Sequence, residues 1–239
     1  MIEKNIYDNI DPKIYEARTR KNQIEQYQYE HWWPLVSDTI SRYSKDSVVL
    51  DLGCGPGNHS FEMAKYAKKV FGIDSSKRML DYAKSKYPGI HFIYADATDI
   101  PLENGSIDIV FSAGLFEYVK NKENLMREIL RVLKPGGISI ILAPNKYSFP
   151  RFLFAIGCAV IGKKRVCSEP SFGQMLKMFH KFNFEIVNYT MDDGLFFLPY
   201  PLDNLFSQKT WLFIEHCFKV FKRNPFSMNM LFIIRKLNY

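Results

Sequence analysis

The chain has 239 residues, enough for one α/β domain with additions, and its 47% hydrophobic and 24% charged content excludes a disordered or low-complexity polypeptide. Its opening residues are polar and charged, so no secretory signal peptide is expected, and four scattered cysteines (Cys54, Cys158, Cys167, Cys217) without C-x-x-C spacing point to reduced thiols in a cytoplasmic protein and to no metal site. The net charge of +7 is uneven, with 14 basic against 17 acidic residues up to Val119 and 18 against 8 from Lys120 onward, so the carboxy-terminal half suits either an anionic partner or a solvated basic face.

In chain order, residues 1–45 read as helices rich in aromatics (Tyr15, Tyr27, Tyr29, Trp32, Trp33) and form a candidate lid. A strict alternation of strand and helix signals follows over residues 46–145. Val48 to Leu52 is a buried strand ending in glycines, and Ser60 to Lys69 reads as its helix. Lys69 to Asp74 is the second strand, leading to a helix capped by Ser75 or Ser76. Ile90 to Tyr94 is the third strand and Ile107 to Ser112 the fourth. A helix from Lys122 to Leu133 is stopped by Lys134-Pro135-Gly136-Gly137, and Ile138 to Ala143 forms strand five. Strands joined by helical crossovers at this spacing predict an α/β fold with a doubly wound, mostly parallel sheet. Residues 146–183 read as a helical insert, and over residues 184–239 two further strands, Phe184 to Tyr189 and Phe226 to Lys236, can pair as an antiparallel edge.

In such a sheet ligands bind beyond the carboxyl ends of the strands. The first of these ends is Asp51-Leu52-Gly53-Cys54-Gly55-Pro56-Gly57-Asn58-His59, where glycines let backbone approach a ligand and the next helix offers free N–H groups to an anion. Asp74 lies 23 residues beyond Asp51 at the end of strand two, where a carboxylate can accept both hydroxyls of a ribose. Asp96 closes strand three, where it could accept from an adenine amino group, with the Ala97 N–H toward a ring nitrogen.

Four blocks, VVLDLGCGPGN, VFGIDSSKRML, YADATDIPLENGSIDIVFS and EILRVLKPGGIS, resemble in order and spacing the class I S-adenosylmethionine-dependent methyltransferases of the small-molecule type. The resemblance covers Val48 to Ala143 and implies a Rossmann-like fold with S-adenosylmethionine as cofactor. By that resemblance Gly53 and Gly55 pass beneath the methionine part and Asp51 helps hold its amino group. Asp74 takes the ribose, Met79 packs on the adenine, Asp96 and Ala97 read the adenine edge, and Ser112 sits beside the methionine part. Gly72 and Gly137 read as packing and turn glycines. A nicotinamide-dependent dehydrogenase is the rival for this fold. Its G-x-G-x-x-G/A fingerprint fails here, because Asn58 stands where the third small residue belongs. A catalytically inactive binding module is a third reading, and the intact strand-end acids argue against it.

Methyl transfer needs an in-line acceptor, a dry pocket and, for a protonated acceptor, a base. Tyr7, Tyr15, Tyr27, Tyr29, His31, Trp32 and Trp33 are the aromatic lid candidates, and His31, with its near-neutral pKa, is the candidate base. After strand four the chain reads Ser112-Ala113-Gly114-Leu115, not the [DNS]-P-P-[YFW] of enzymes that methylate base amino groups, and no cysteine lies from Asp99 to Phe149 for a C5-cytosine mechanism. Cys158 and Cys167 do not make an arsenic methyltransferase set. A small-molecule or lipid-like hydrophobic acceptor is therefore expected, ahead of an RNA substrate; RNA binding is expected to be weak, sequence-independent and salt-sensitive. Phe152 to Ile161 is apolar and too short to span a bilayer, and is bounded by Arg151 and Lys163-Lys164-Arg165. With Leu195 to Tyr200 and Trp211 to Phe221, trailed by Lys222-Arg223, it suits either peripheral contact with an anionic membrane or a buried cover over the acceptor pocket.

Overall fold

The computed structural model describes residues 7–21, 23–43, 46–148, 162, 168–191 and 229–237; the side chains of residues 18–28 and 31 lie outside that description. A short 3-10 turn (Tyr7–Asn9) precedes α1 (Pro12–Lys21) and α2 (Gln23–Arg42). Then come β1 (Val48–Leu52), α3 (Asn58–Met63), β2 (Lys69–Asp74), α4 (Lys77–Lys86), β3 (His91–Tyr94), β4 (Ile107–Ala113), α5 (Lys122–Val132), β5 (Leu133–Pro144), α6 (Phe172–Lys181), β6 (Phe184–Met191) and β7 (Asn229–Lys236).

All seven strands form one sheet in the order β3-β2-β1-β4-β5-β7-β6. The pairs from β3 to β5 are parallel, whereas β7 runs antiparallel to both β5 and β6. The expected antiparallel edge is thus present, and it contains two strands. From β1 the chain winds outward through β2 to β3, then restarts on the other side at β4. The topological switch lies between β1 and β4, where their carboxyl ends diverge.

The two faces of the sheet follow the strand period of two. Leu50 and Leu52 of β1 point to one face, where Leu125, Met126 and Ile129 of α5 and Met175 and Phe179 of α6 complete a core. Val49, with Ile109 and Phe111 of β4, points to the other face and meets Trp32, Val36 and Ile40, which stand four residues apart along α2. Each such fully buried side chain stabilises the fold by about 1.5–3 kcal/mol. Helix starts are set locally. Ser76 caps α4 by accepting from Met79 N, Asn121 caps α5 by accepting from Asn124 N, and Ser171 with Gln174 makes a capping box on α6.

Two elements depart from the sequence reading. Helix α3 runs from Asn58 to Met63 rather than from Ser60 to Lys69, because the chain must reach β1 again: the Lys68 amide donates to Ser47 O at 3.0 Å. Strand β5 begins at Leu133, which already pairs with Ile107 across a register shift, so the Lys134–Gly137 turn is absorbed into the strand. Lys134 Nζ holds Asp108 at 2.7 Å there, and the same carboxylate accepts from Val48 N. Gly72 and Gly137 are packing positions: a Cβ on Gly72 would stand 2.5 Å from the Phe92 ring, and one on Gly137 2.9 Å from Lys134 O. The insert from Phe149 to Arg165 falls, apart from Gly162, outside the described residues, as do Cys167, Leu195 to Tyr200 and Trp211 to Arg223. Among the described residues no helix is long and apolar enough to cross a membrane.

Candidate functional site

At the switch between β1 and β4 lies a cavity of about 470 Å³, a size suited to a ligand of cofactor dimensions. Its floor is the loop after β1. The Gly53 and Cys54 amides both donate to Ile73 O, at 2.8 and 3.0 Å, which folds the loop back over the end of β2. Gly53 has φ +80°, and a Cβ there would press to 3.2 Å on Leu115, so only glycine leaves this stretch of backbone open to the cavity.

Asp74 ties the loop to α4. Its Oδ2 accepts from the Gly55 amide and its Oδ1 from the Ser76 amide, each at 2.8 Å. Burial raises its pKa, against the lowering effect of these amides. The Ser75 amide also bears on this carboxylate, which keeps acceptor capacity toward the cavity. Asp51 lies under the loop, 1% exposed, accepting from Ser60 Oγ at 2.5 Å. Burial pushes its pKa up to about 7, with the Ser60 bonds opposing and the Asp74 charge adding to the rise. Burial likewise raises the pKa of the Cys54 thiol, so it stays protonated and inert.

Of the residues expected from sequence, Gly53, Gly55, Asp74 and Met79 line the cavity, as do Tyr7, Tyr15 and Tyr29 of the lid set. Asp51, Ala97 and Ser112 are buried behind that wall. The Ser112 hydroxyl has no hydrogen-bond partner among the described residues, and its neighbours Ala113 and Gly114 form the rim instead. Asp96 is not among the lining residues; its Oδ1 accepts from the amide and hydroxyl of Thr98 at 2.9 and 2.8 Å. Trp32 and Trp33 pack behind Tyr29. His31 lies in α2, and its side chain and that of Tyr27 are outside the described set.

Among the wall residues that the sequence reading gave no role are His59, Glu62, Leu115 and Tyr118. His59 directly follows the glycine loop, which was its only signal. Its ring lies nearly parallel to Tyr29 and Trp33, at 6.1 and 5.8 Å, and meets Phe111 edge-on at 5.5 Å. Burial among these rings lowers its pKa to about 4, so it is neutral at physiological pH. On the opposite wall the Tyr7 ring meets Tyr118 and Tyr15 edge-on, at 5.5 and 5.9 Å. Burial holds the Tyr7 phenol above its ordinary pKa, so it remains a donor. Among the described residues no group of three or more His, Cys, Asp or Glu side chains is placed to hold a metal ion.

The wall is therefore a glycine cradle with the Asp74 carboxylate among its residues and tyrosine and histidine rings beside it. Comparison with known proteins shows what the chain is similar to. The Methyltransferase domain family matches residues 50–141. A ubiquinone/menaquinone biosynthesis C-methyltransferase, UbiE, of Campylobacter jejuni is 34% identical over 118 residues, covering 46% of this chain and 50% of that protein. A demethylmenaquinone methyltransferase of Chlorobaculum tepidum is 34% identical over 149 residues, 59% of each chain. The chain spans about half the length of the curated relatives it matches first. In fold it resembles the geranyl diphosphate C-methyltransferase of Streptomyces coelicolor crystallised with S-adenosyl-L-homocysteine, at TM-score 0.65 and 18% identity over 90% of this chain and 82% of that one. Residues 50–141 thus match the Methyltransferase domain family, and the curated proteins similar to this chain are named methyltransferases, the class that the four sequence blocks resemble.

Proposed function

We propose that the cavity holds S-adenosylmethionine and that the chain transfers its methyl group to a small-molecule or lipid-like hydrophobic acceptor. One observation carries this reading: Gly53, Gly55, Asp74 and Met79 meet three tyrosines around a single cavity. The residues present fit the cofactor. The open backbone at Gly53 accommodates the methionine chain, the remaining acceptor capacity of Asp74 suits the ribose, and buried Met79 offers an apolar surface to the adenine. Asp96 and the Ala97 amide, at the end of β3, are the groups for the adenine edge, and Ser112 supports the rim beside the methionine part. The Asp74 carboxylate in the wall, Asp51 beneath it and the ring faces beside them favour a cationic ligand.

When bound, S-adenosylmethionine supplies a methyl group already activated on sulfur. The chain has then to orient the acceptor, exclude water and hold any proton the acceptor releases. Tyr7, Tyr15 and Tyr118 line the cavity, and Leu115 and Ala113 give its wall an apolar character that favours a hydrophobic acceptor. The quinone methyltransferases among the relatives support the same class. His31 remains the proposed base.

The test is transfer of radiolabelled methyl from S-adenosylmethionine into a cell extract, followed by partition. Label in the organic-soluble fraction is expected. Label confined to RNA overturns the acceptor class, and no labelled product under conditions where the cofactor binds overturns the activity.

A further inference from the structure

The segment carrying Tyr7 and Tyr15 runs alongside α4 and is fastened to it at graded strength. Ser76 Oγ donates to Asp8 Oδ1 at 2.7 Å, Arg78 approaches Asp11 at 3.8 Å, and Glu16 accepts from the Tyr82 hydroxyl at 2.7 Å and Lys86 Nζ at 2.5 Å. Arg78, Tyr82 and Lys86 recur every four residues and so share one face of α4. Ser76 stands at the cavity end of that helix and Lys86 at the far end.

We infer that residues 7–21 form a strap over the cavity, hinged at Glu16 and latched at Asp8, and that the latch sets how fast a bound cofactor leaves, which rests on the cofactor reading above. The asymmetry follows from burial. Glu16 is 6% exposed and holds two donors, one of them charged, so pulling it away strands a carboxylate and its partners in a poorly solvated place. The Asp11–Arg78 pair is exposed on both sides and contributes little. Asp8 is exposed, is held by a single hydroxyl on α4, and belongs to a turn that buries no residue. The strap therefore opens from the Asp8 end.

That end bears on the site. The Ser76 hydroxyl that donates to Asp8 also accepts from Met79 N, and the Ser76 amide donates to Asp74. Asp8 is thus a positioning residue, fixing the serine that orients the ribose-facing carboxylate. Its neighbour Tyr7 lines the cavity and packs edge-on against Tyr118, which lines it too. Releasing the latch frees Tyr7 from that contact and uncovers the cavity.

Asp8→Ala and Glu16→Gln separate latch from hinge. Dissociation of S-adenosylhomocysteine is followed by stopped-flow displacement, and amide hydrogen exchange is measured on the ligand-free chain. Asp8→Ala is expected to speed dissociation about threefold to tenfold, the worth of one exposed-to-half-buried hydrogen bond, and to speed exchange at residues 7–10 alone. A merely structural Asp8 would lower the melting temperature and leave dissociation unchanged. Asp8→Asn, which keeps the acceptor oxygen, should restore most of the parent rate. Glu16→Gln should speed exchange through residues 13–21 as well. An unchanged dissociation rate in Asp8→Ala overturns the latch. If S-adenosylhomocysteine does not bind at all, the cofactor reading fails, and exchange alone judges the strap: equal protection at residues 7–10 in Asp8→Ala and parent overturns it.

Discussion

Replacing Asp51 by Asn tests the electrostatics under the cradle. The amide can still accept from Ser60 Oγ, so the packing is kept and only the titration is removed. In the folded chain Asp51 titrates at about 7, against an ordinary value of 3.8. The unfolded chain therefore gives up this proton first as pH rises, and above its ordinary pKa the folded state binds more protons than the unfolded one. Stability is fully present below about pH 4 and falls as pH rises through about 7. At about 1.4 kcal/mol per pH unit, the gap between 3.8 and about 7 makes the loss about 4 kcal/mol. The Asp51→Asn variant suffers none of it. Urea denaturation of both proteins from pH 4 to pH 8 should show the variant gaining on the parent across this window and level above it. Groups that do not interact with Asp51 titrate alike in both and cancel in the difference, and Asp74 and Cys54, which do interact with it, add to it. A difference that stays constant with pH would refute a buried, raised-pKa Asp51.

Three further expectations follow from the same geometry. A cationic ligand above Asp51 favours its ionised form, so S-adenosylmethionine binding at pH 6 should release a proton, and neutral-sulfur S-adenosylhomocysteine fewer; equal apparent heats in buffers of different ionisation enthalpy would contradict this. Asp74→Ala removes the acceptor of two amides as well as the ribose contact, and should weaken both ligands by about 1.5–3 kcal/mol in calorimetry. Gly72→Ala forces a Cβ to within 2.5 Å of the Phe92 ring and 3.0 Å of Cys54 Sγ, and should cost about 1–3 kcal/mol of stability by denaturant melt.

The strands of the parallel sheet were legible because each is a short apolar run closed by local signals. Lys69 to Asp74 is bounded as expected, and Ser76 is the cap, one of two serines the pattern allowed. The end of α3 was not legible, since it is set by a long-range bond from Lys68 to Ser47 and not by any breaker within 58–69. Glycine loops and strand-end acids announce a site locally, so Gly53, Gly55 and Asp74 stood out. Tyr118 and His59 become wall residues only through tertiary packing, Tyr118 against Tyr7 and His59 against the rings of α2 and β4. Ser112 is buried within β4, and Ala113 and Gly114, which follow it, line the cavity rim.

That this cavity is an S-adenosylmethionine site is tested most directly by isothermal titration of the purified chain with S-adenosylhomocysteine, with NADH in a parallel titration. One S-adenosylhomocysteine should bind per chain, with affinity lost in Asp74→Ala, and NADH should not bind. Tight NADH binding with no heat from S-adenosylhomocysteine would contradict the assignment.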